Sequence, residues 1–477
     1  MELRPFQAAL VEGARAHLRR GIRRLLIQLA TGGGKTVIAA FIIGGVRTRG
    51  LRVWFVVHRK ELIRQTSATF QAVGIAHGFI AADFPIAGHE LVQLCGVQTL
   101  ALRLDTVTAP DVIIWDEAHH GVAATWALVQ ERFPAAIHIG LSATPCDLAG
   151  RALGAHFDAM ICGPSTAELI RMGFLSRFTY FAPGAPDLVG VRAGDDFNRG
   201  DLGDLMDRPQ IVGDVVEQYR ARADGEQGIV FAVNREHSWH LAAAFNAAGI
   251  PAAHVDGSMS ARERDRFDAA FRAGDIRVGC NVDLFGEGYD VPNIGYVGLV
   301  RPTSSLRLHR QQCGRALRIA PGKAGAVILD HAGNALRGLG LPDDDVVWSL
   351  EGKKKGSGGR LSDGMPIHQC PGCYQVTPSS VRECPGCGHA FTVEARQIAA
   401  TEGELFELKR LGIAEREVAK RAAAEARKRE EREAKTLVEL VRLGRERGYP
   451  KAEAWARRKI ELRQQYARGG RRAAGAR

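Results

Sequence analysis

Apolar residues along the chain fall in short runs separated by stretches of helical spacing. Arg23 to Leu29, Arg52 to Val57, Leu91 to Cys95, Val112 to Trp115 and Ile137 to Gly140 are each a handful of residues bounded by turn formers. Near-continuous apolar runs of that length suit strands buried on both faces. Amphipathic segments such as Lys60 to Ala72 lie between them. Strands alternating with helices predict crossover connections and a parallel sheet. The pattern loosens after Phe178, through Ala182-Pro183-Gly184-Ala185-Pro186 and the polar stretch Gly194 to Asp204. It then resumes, with strands at Gly228 to Val233, Ala252 to Val255, Val278 to Asn281, Tyr296 to Val300 and Ala326 to Leu329. Helices are expected near His237 to Ala248 and Ala261 to Arg272.

The fold class that follows is α/β, with two parallel-sheet domains in tandem, then a small cysteine module and a helical tail. The expected boundaries are 1–180 for the first domain, 181–207 for a linker and 208–335 for the second domain. A second linker spans 336–366, the cysteine module 367–392 and the tail 393–477. The Gly-, Lys- and Ser-rich stretch 351–364 is flexible by composition. From Glu402 onward Ala, Glu, Arg, Lys and Leu dominate with no proline before Pro450, which predicts helix. A length of 477 residues agrees with about three units at roughly 150 residues each.

Charge adds a partner to this picture. Lys and Arg number 64 against 53 Asp and Glu, and residues 401–477 alone hold 22 basic and 13 acidic residues. The tail therefore carries +9 of the +11, and a concentrated basic segment points to a polyanion. No apolar run approaches the roughly 18–20 residues needed to cross a bilayer. The start, Met1-Glu2-Leu3-Arg4-Pro5, lacks a basic segment followed by an apolar one, so a cytoplasmic location without membrane partners is expected.

Candidate chemistry begins at Ala30-Thr31-Gly32-Gly33-Gly34-Lys35-Thr36, which follows a predicted strand and opens a helix. Glycines let backbone N–H groups turn inward around phosphate oxygens, and the helix N-terminus adds partial positive charge. Lys35 would reach the β and γ phosphates of ATP, and the Thr36 hydroxyl would ligate Mg²⁺. Leu29 stands where the strict phosphate-loop pattern has its first glycine. The strand Val112 to Trp115 runs into Asp116-Glu117-Ala118-His119, 81 residues beyond the Lys35 motif. Acids at the carboxyl end of such a strand sit where open α/β sheets bind ligands. Asp116 can hold Mg²⁺ directly or through water, and Glu117 can polarise the attacking water.

This set resembles the superfamily 2 helicases of the DEAD/DEAH-box type, which carry two RecA-like domains. The resemblance covers residues 1 to about 335. Leu3-Arg4-Pro5-Phe6-Gln7 resembles the first family motif, implying that Gln7 reads adenine. His58 to Gln65 and Gly96 to Leu100 resemble strand-contacting segments, and Ser142-Ala143-Thr144-Pro145 resembles the element that links ATP state to nucleic-acid grip. Ala30 to Thr36 fits the family's form of the phosphate loop, which accounts for Leu29. Gly286 to Pro292 resembles the fifth motif, implying that Asp290 contacts ribose. Gln311 to Arg318 resembles the sixth, implying that Arg315 and Arg318 enter the nucleotide site when the domains close. Phosphoryl transfer spreads negative charge over the γ oxygens, and fixed guanidinium groups stabilise it. Three apart on an expected helix, the two arginines would project from one face. Arg301 to Ser305, Gly314 to Lys323 and Ile328 to Asn334 bear a more particular resemblance to the RadD-like bacterial and phage proteins. That implies a role in DNA repair, recombination or replication.

Cys370-Pro371-Gly372-Cys373 and Cys384-Pro385-Gly386-Cys387 are two tight pairs ten residues apart. Each turn presents two thiolates, and together they complete a tetrahedral Zn²⁺ site with no open position, so the role is structural. A ribbon this small has no core of its own and needs the metal to fold. His368 and His389 flank the turns and read as surface residues. In the tail, Tyr449 and Trp455 among basic residues could stack bases or simply pack.

The expected function is an ATP-dependent DNA helicase or translocase, with nucleic acid as partner and DNA ahead of RNA. Protein partners at replication or repair sites are a further expectation. The rivals are an ATPase that remodels complexes without unwinding, an RNA helicase, and a nucleotide switch without turnover.

Overall fold

The computed structural model describes residues 2–85, 89–122, 124–147, 151, 153–192, 194, 196–285, 291, 293–351, 366–391, 429–431, 433–434, 436–446 and 452–460. The chain divides into two compact units, Met1–Val393 and Glu394–Arg477.

The first unit holds two open parallel sheets. The first is built from β1 (Arg24–Gln28), β2 (Val53–Val57), β3 (Gly78–Ile80), β4 (Val92–Gly96), β5 (Val112–Trp115), β6 (Ile137–Ser142) and β7 (Ala159–Cys162). Their spatial order is β3-β4-β2-β5-β6-β1-β7, every pair parallel. Helices α1 (Pro5–Arg19), α2 (Lys35–Arg47), α3 (Lys60–Ala72), α4 (Val97–Ala101), α5 (Ala124–Arg132) and α6 (Thr166–Arg171) supply the crossovers and flanks. Central strands such as Val53-Trp54-Phe55-Val56-Val57 are buried at all five positions, which is why they read as unbroken apolar runs.

The second sheet contains β8 (Phe178–Phe181), β9 (Gly228–Phe231), β10 (Ala252–Asp256), β11 (Val278–Val282), β12 (Tyr296–Leu299) and β13 (Ala326–Asp330). Its order is β10-β11-β9-β12-β13-β8, again with every pair parallel. Around it lie α7 (Arg199–Met206), α8 (Pro209–Arg222), α9 (Arg235–Ala247), α10 (Ala261–Ala273) and α11 (Leu306–Cys313).

Three strands escaped the sequence reading. β3 is short and β8 carries Thr179 between its aromatic residues, while β7, Ala159-Met160-Ile161-Cys162, is a short apolar run on a partly buried edge. β8 belongs to the second sheet, where the Tyr180 hydroxyl donates to Asp330 Oδ2 at 2.7 Å. The polar stretch before residue 208 also departs from a plain linker. Asn198 accepts the N–H groups of Gly200 and Asp201 and so starts α7, whose Leu202 and Met206 are buried against Tyr219 and Val230.

The cysteine module pairs β14 (Ile367–Gln369) with β15 (Val376–Pro378) in an antiparallel hairpin. Rather than standing apart, it docks on the exposed edge of β8. The Ala182 N–H donates to the Tyr374 carbonyl at 3.0 Å, the Gln369 amide donates to the Ala182 carbonyl, and Val376 is buried in the second-domain core. The hairpin thus shares the core of the second domain, a contact the sequence did not announce. The glycine-rich stretch 352–365 lies outside the described residues.

In the second unit, α12 (Leu437–Glu446) is followed by a helical stretch at 452–460. Gly444 lets the two meet: a Cβ there would fall 3.0 Å from that of Ala452. Most of the predicted tail helix, 401–428, lies outside the described residues. Among the described residues, no helix is long and apolar enough to cross a membrane.

Candidate functional site

The phosphate loop leaves the carboxyl end of β1 and enters α2. Gly32 and Gly34 sit at φ +84° and +89°, a region that side chains rarely enter. A Cβ on Gly33 would fall 2.7 Å from Leu29 Cγ, so the loop is also too tight for a larger residue. No side chain caps α2, which leaves its first turn facing the loop. This is a cradle for phosphate oxygens, and it fits ATP. Gln7 braces it from α1. Its Nε2 donates to the Gly33 carbonyl at 2.9 Å, and its Oε1 accepts the Arg4 N–H at 3.0 Å. Gln7 is buried and engaged with the loop itself, which leaves its amide one further N–H and one further lone pair.

Two strands away across β6, β5 delivers Asp116 and Glu117. Glu117 has φ +49°, a left-handed conformation that costs a non-glycine residue about 1–2 kcal/mol. The strained turn aims its carboxylate back at the phosphate loop, where Oε1 lies 3.4 Å from Lys35 Nζ. Both side chains are nearly buried, so the pair is well shielded from solvent. His119, to which the sequence reading gave no role, joins this acid to the next motif. Its Nδ1 lies 3.4 Å from Glu117 Oε2 and 3.1 Å from Ser142 Oγ, and Ser142 Oγ accepts the Thr144 N–H at 3.2 Å. Thr36 and Asp116 would offer Mg²⁺ a hydroxyl and a carboxylate, the oxygen donors it prefers.

The second domain meets the loop through the end of α11. The helix stops at Cys313, and residues 314–317 form a turn, so Arg315 and Arg318 lie beyond the helix rather than on one of its faces. Gly314 is where this turn meets the first domain. A Cβ there would fall 2.8 Å from Thr31 Cβ, so only glycine lets the two domains approach this closely. Leu317 is buried in the first-domain core and its carbonyl accepts the Ser176 N–H at 2.7 Å. Arg315 is buried, and Arg318 Cγ stands 3.8 Å from where a Cβ on Gly32 would be. The structure thus brings Gln7, the glycine loop, Lys35, Glu117 and the 314–318 turn together. Asp290 lies outside the described residues.

Along the same rim, the Arg59 guanidinium donates to the Asp283 carbonyl of the second domain at 2.9 Å, and Gln98 donates to the His58 carbonyl at 3.4 Å. Asp283 itself, at φ +57°, pairs with Arg199 at 2.5 Å and Arg301 at 2.7 Å. Nothing in the spacing of these residues announced the network, because its members come from distant parts of the sequence.

The four cysteine sulfurs lie within 4.8 Å of one another, with Cys370 to Cys387 at 3.6 Å and Cys373 to Cys384 at 3.4 Å. Zn–S bonds of about 2.3 Å in a tetrahedron put sulfurs about 3.8 Å apart, so the arrangement fits zinc. Burial pushes the Cys373 thiol up to about 12. At Cys370 burial is outweighed by N–H groups of Cys373 and Gly372 and by neighbouring thiols, leaving it at about 7. Four adjacent sulfurs can all ionise only with a cation among them. His368 packs against Phe391 with ring centroids 3.7 Å apart.

Comparison with known proteins gives two family matches. Residues 1–147 match the type III restriction enzyme res subunit, and residues 209–320 match the helicase conserved C-terminal domain. A 51.5 kDa protein of a Lactococcus phage (isolate 7-9) is 36% identical over 376 residues, covering 78% of this chain and 79% of the phage protein. The putative ATP-dependent helicase IRC3 of Saccharomyces cerevisiae is 31% identical over 381 residues, or 72% of this chain and 55% of the yeast protein. The chain therefore spans about half the length of that relative. Among solved structures, a fragment of a putative HsdR subunit of a type I restriction enzyme from Vibrio vulnificus aligns with a TM-score of 0.58. It is 22% identical and covers 71% of this chain and 65% of that one, a likeness of fold alone.

Proposed function

The chain belongs to the superfamily 2 helicases, nucleic-acid-dependent ATPases, and on that premise we propose that it is a DNA helicase or translocase. The observation that carries this reading is the placement of Glu117 against Lys35 with the second-domain turn 314–318 lodged on the same loop. A nucleotide switch would need the cradle alone. An acid and a domain-borne pair of arginines are what hydrolysis adds.

In this reading ATP lies on the loop from Gly32 to Thr36, and Lys35 leaves Glu117 to meet the β and γ phosphates. Glu117, freed from that pairing, orients water toward the γ phosphorus. Arg315 and Arg318 stabilise charge on the transferring group while the domains are closed. Mg²⁺, held by Thr36 and Asp116, supplies neutralising charge to the phosphate oxygens when bound. Asp290 contacts ribose. His119 and Ser142 carry the state of Glu117 toward Thr144 and the interdomain cleft.

Zinc on Cys370, Cys373, Cys384 and Cys387 gives the hairpin at the β8 edge its fixed shape. The finer reading is a RadD-like protein of bacterial or phage DNA repair, recombination or replication, working in the cytoplasm with proteins at those sites. It is supported by the resemblance at residues 301–334 and by the phage relative.

The test is the rate of ATP hydrolysis against single-stranded, duplex and forked DNA and against RNA, paired with fluorescent strand separation. DNA stimulation with unwinding supports the helicase. Stimulation without unwinding makes it a remodelling ATPase, and stimulation by RNA alone overturns the choice of DNA.

A further inference from the structure

Beyond β13 the chain does not leave the two-domain core. Leu341 is buried in the second-domain cluster, and residues 342–348 then cross the mouth of the interdomain cleft. They roof a cavity of about 310 Å³ whose walls include Thr31 and Thr144 of the first domain and Arg310 and Gly314 of the second. The crossing ends on the first domain. Leu350 packs against the cluster containing Leu153 and Phe157, and its carbonyl approaches so closely that a Cβ on Gly154 would fall 2.3 Å from it.

The fastening on the other side is Arg310. Its guanidinium donates to the Asp344 carbonyl, and Asp344 Oδ2 accepts the Leu341 N–H at 2.9 Å, which turns the segment toward α11. Burial lowers the Arg310 pKa, an effect opposed by Asp344, Asp343 and Asp345. Burial raises the carboxyls of Asp343 and Asp344. Arg310 is half-buried, and its bond to the Asp344 carbonyl, with three aspartates close by, favours one arrangement of the segment. Arg310 also lies one helical turn before the contact with the phosphate loop, since its carbonyl accepts the Gly314 N–H at 2.9 Å.

We propose that Leu341–Leu350 is an interdomain strap and that Arg310, its anchor, is a positioning residue for the arginines of the 314–318 turn. The proposal rests on the ATPase reading. Between Asp344 and Leu350 the strap can span at most roughly 20 Å, so it limits how far and in which direction the second domain moves when the cleft opens. Each closure then returns Gly314 to Thr31 and the arginines to one geometry. Neither Arg310 nor any strap residue touches the nucleotide in this account.

Slackening the strap tests this without removing an anchor. Inserting Gly-Gly-Ser after Val347, a 78% exposed position, adds about 10 Å of reach. The insertion is expected to lower kcat about tenfold or more, as loss of positioning does, while the KM for ATP and the melting temperature stay near wild type. Arg310→Ala should lower kcat similarly, Arg310→Lys should restore part of it, and Arg310→Ala combined with the insertion should be no worse than the more severe single change. An insertion variant with wild-type kcat, or losses that multiply in the combination, would overturn the strap. A wild-type chain that hydrolyses no ATP under any condition would instead remove the ATPase reading.

Discussion

Glu117 shows how far a residue's role was legible before the structure. The acid pair after a buried strand was visible in the sequence, and so was the glycine loop, because both are local patterns with a direct physical reason. The left-handed backbone at Glu117 and its 3.4 Å approach to Lys35 were not, since they depend on β5 and β1 lying two places apart in one sheet. The expectation for Gln7 was adenine alone; its bracing of Gly33, a contact made from a helix 26 residues away, had no local signal. Glu117→Gln is expected to keep nucleotide affinity while lowering turnover by roughly 10²–10⁴, the range for losing a positioned base. Fluorescent-nucleotide binding and single-turnover hydrolysis check it. Near-normal turnover would take Glu117 out of that role.

Among the elements, the buried strands were the easiest to read, because burial on both faces leaves only apolar residues. Edge strands β3 and β8 lack that signature and β7, though apolar, is only four residues long, and so the first sheet was drawn too small and β8 was left out of the second. Helix α11 was expected to run through Arg318. It ends at Cys313 and tightens into a turn, with Arg315 N–H bonded to the Gln312 carbonyl and Ala316 N–H to that of Cys313, a change that no local pattern contains. The cysteine pairs announced a metal hairpin but not its docking on β8. That docking changes what removing the metal should do. The wild-type protein should carry about one zinc per chain. Cys384→Ser should release it and speed amide exchange at residues 178–182 by about tenfold or more, because the strand loses its cover. Zinc loss with unchanged exchange at Ala182 would mean that the hairpin stays docked by its apolar contacts alone.

For the molecule as a whole, two features of the sequence proved complementary: a nearly neutral pair of α/β domains and a tail holding +9 of the +11 charge. The tandem sheets follow from alternation along the chain. How the second domain seats its 314–318 turn on the first could not be read, because it depends on surfaces rather than on periodicity. If the tail engages about three phosphates, removing residues 401–477 should flatten the salt dependence of single-strand binding by about two units, at about 0.7 per phosphate. Binding titrations of the full chain and of residues 1–400 from low to moderate salt check this. Parallel slopes would assign the strand to the two-domain core.

On the mechanism proposed above, hydrolysis requires the second domain to deliver Arg315 onto a nucleotide held by the first. The most direct test is phosphate release by wild type and Arg315→Ala at saturating ATP, with and without single-stranded DNA, alongside nucleotide affinity. This mechanism predicts DNA-stimulated turnover in the wild type. In the variant it predicts a fall of about 10³ or more with affinity largely retained, as loss of an arginine finger produces. Normal turnover at saturation with collapsed affinity would contradict it, and Arg315 would then be a residue that binds nucleotide and does not act on the reaction.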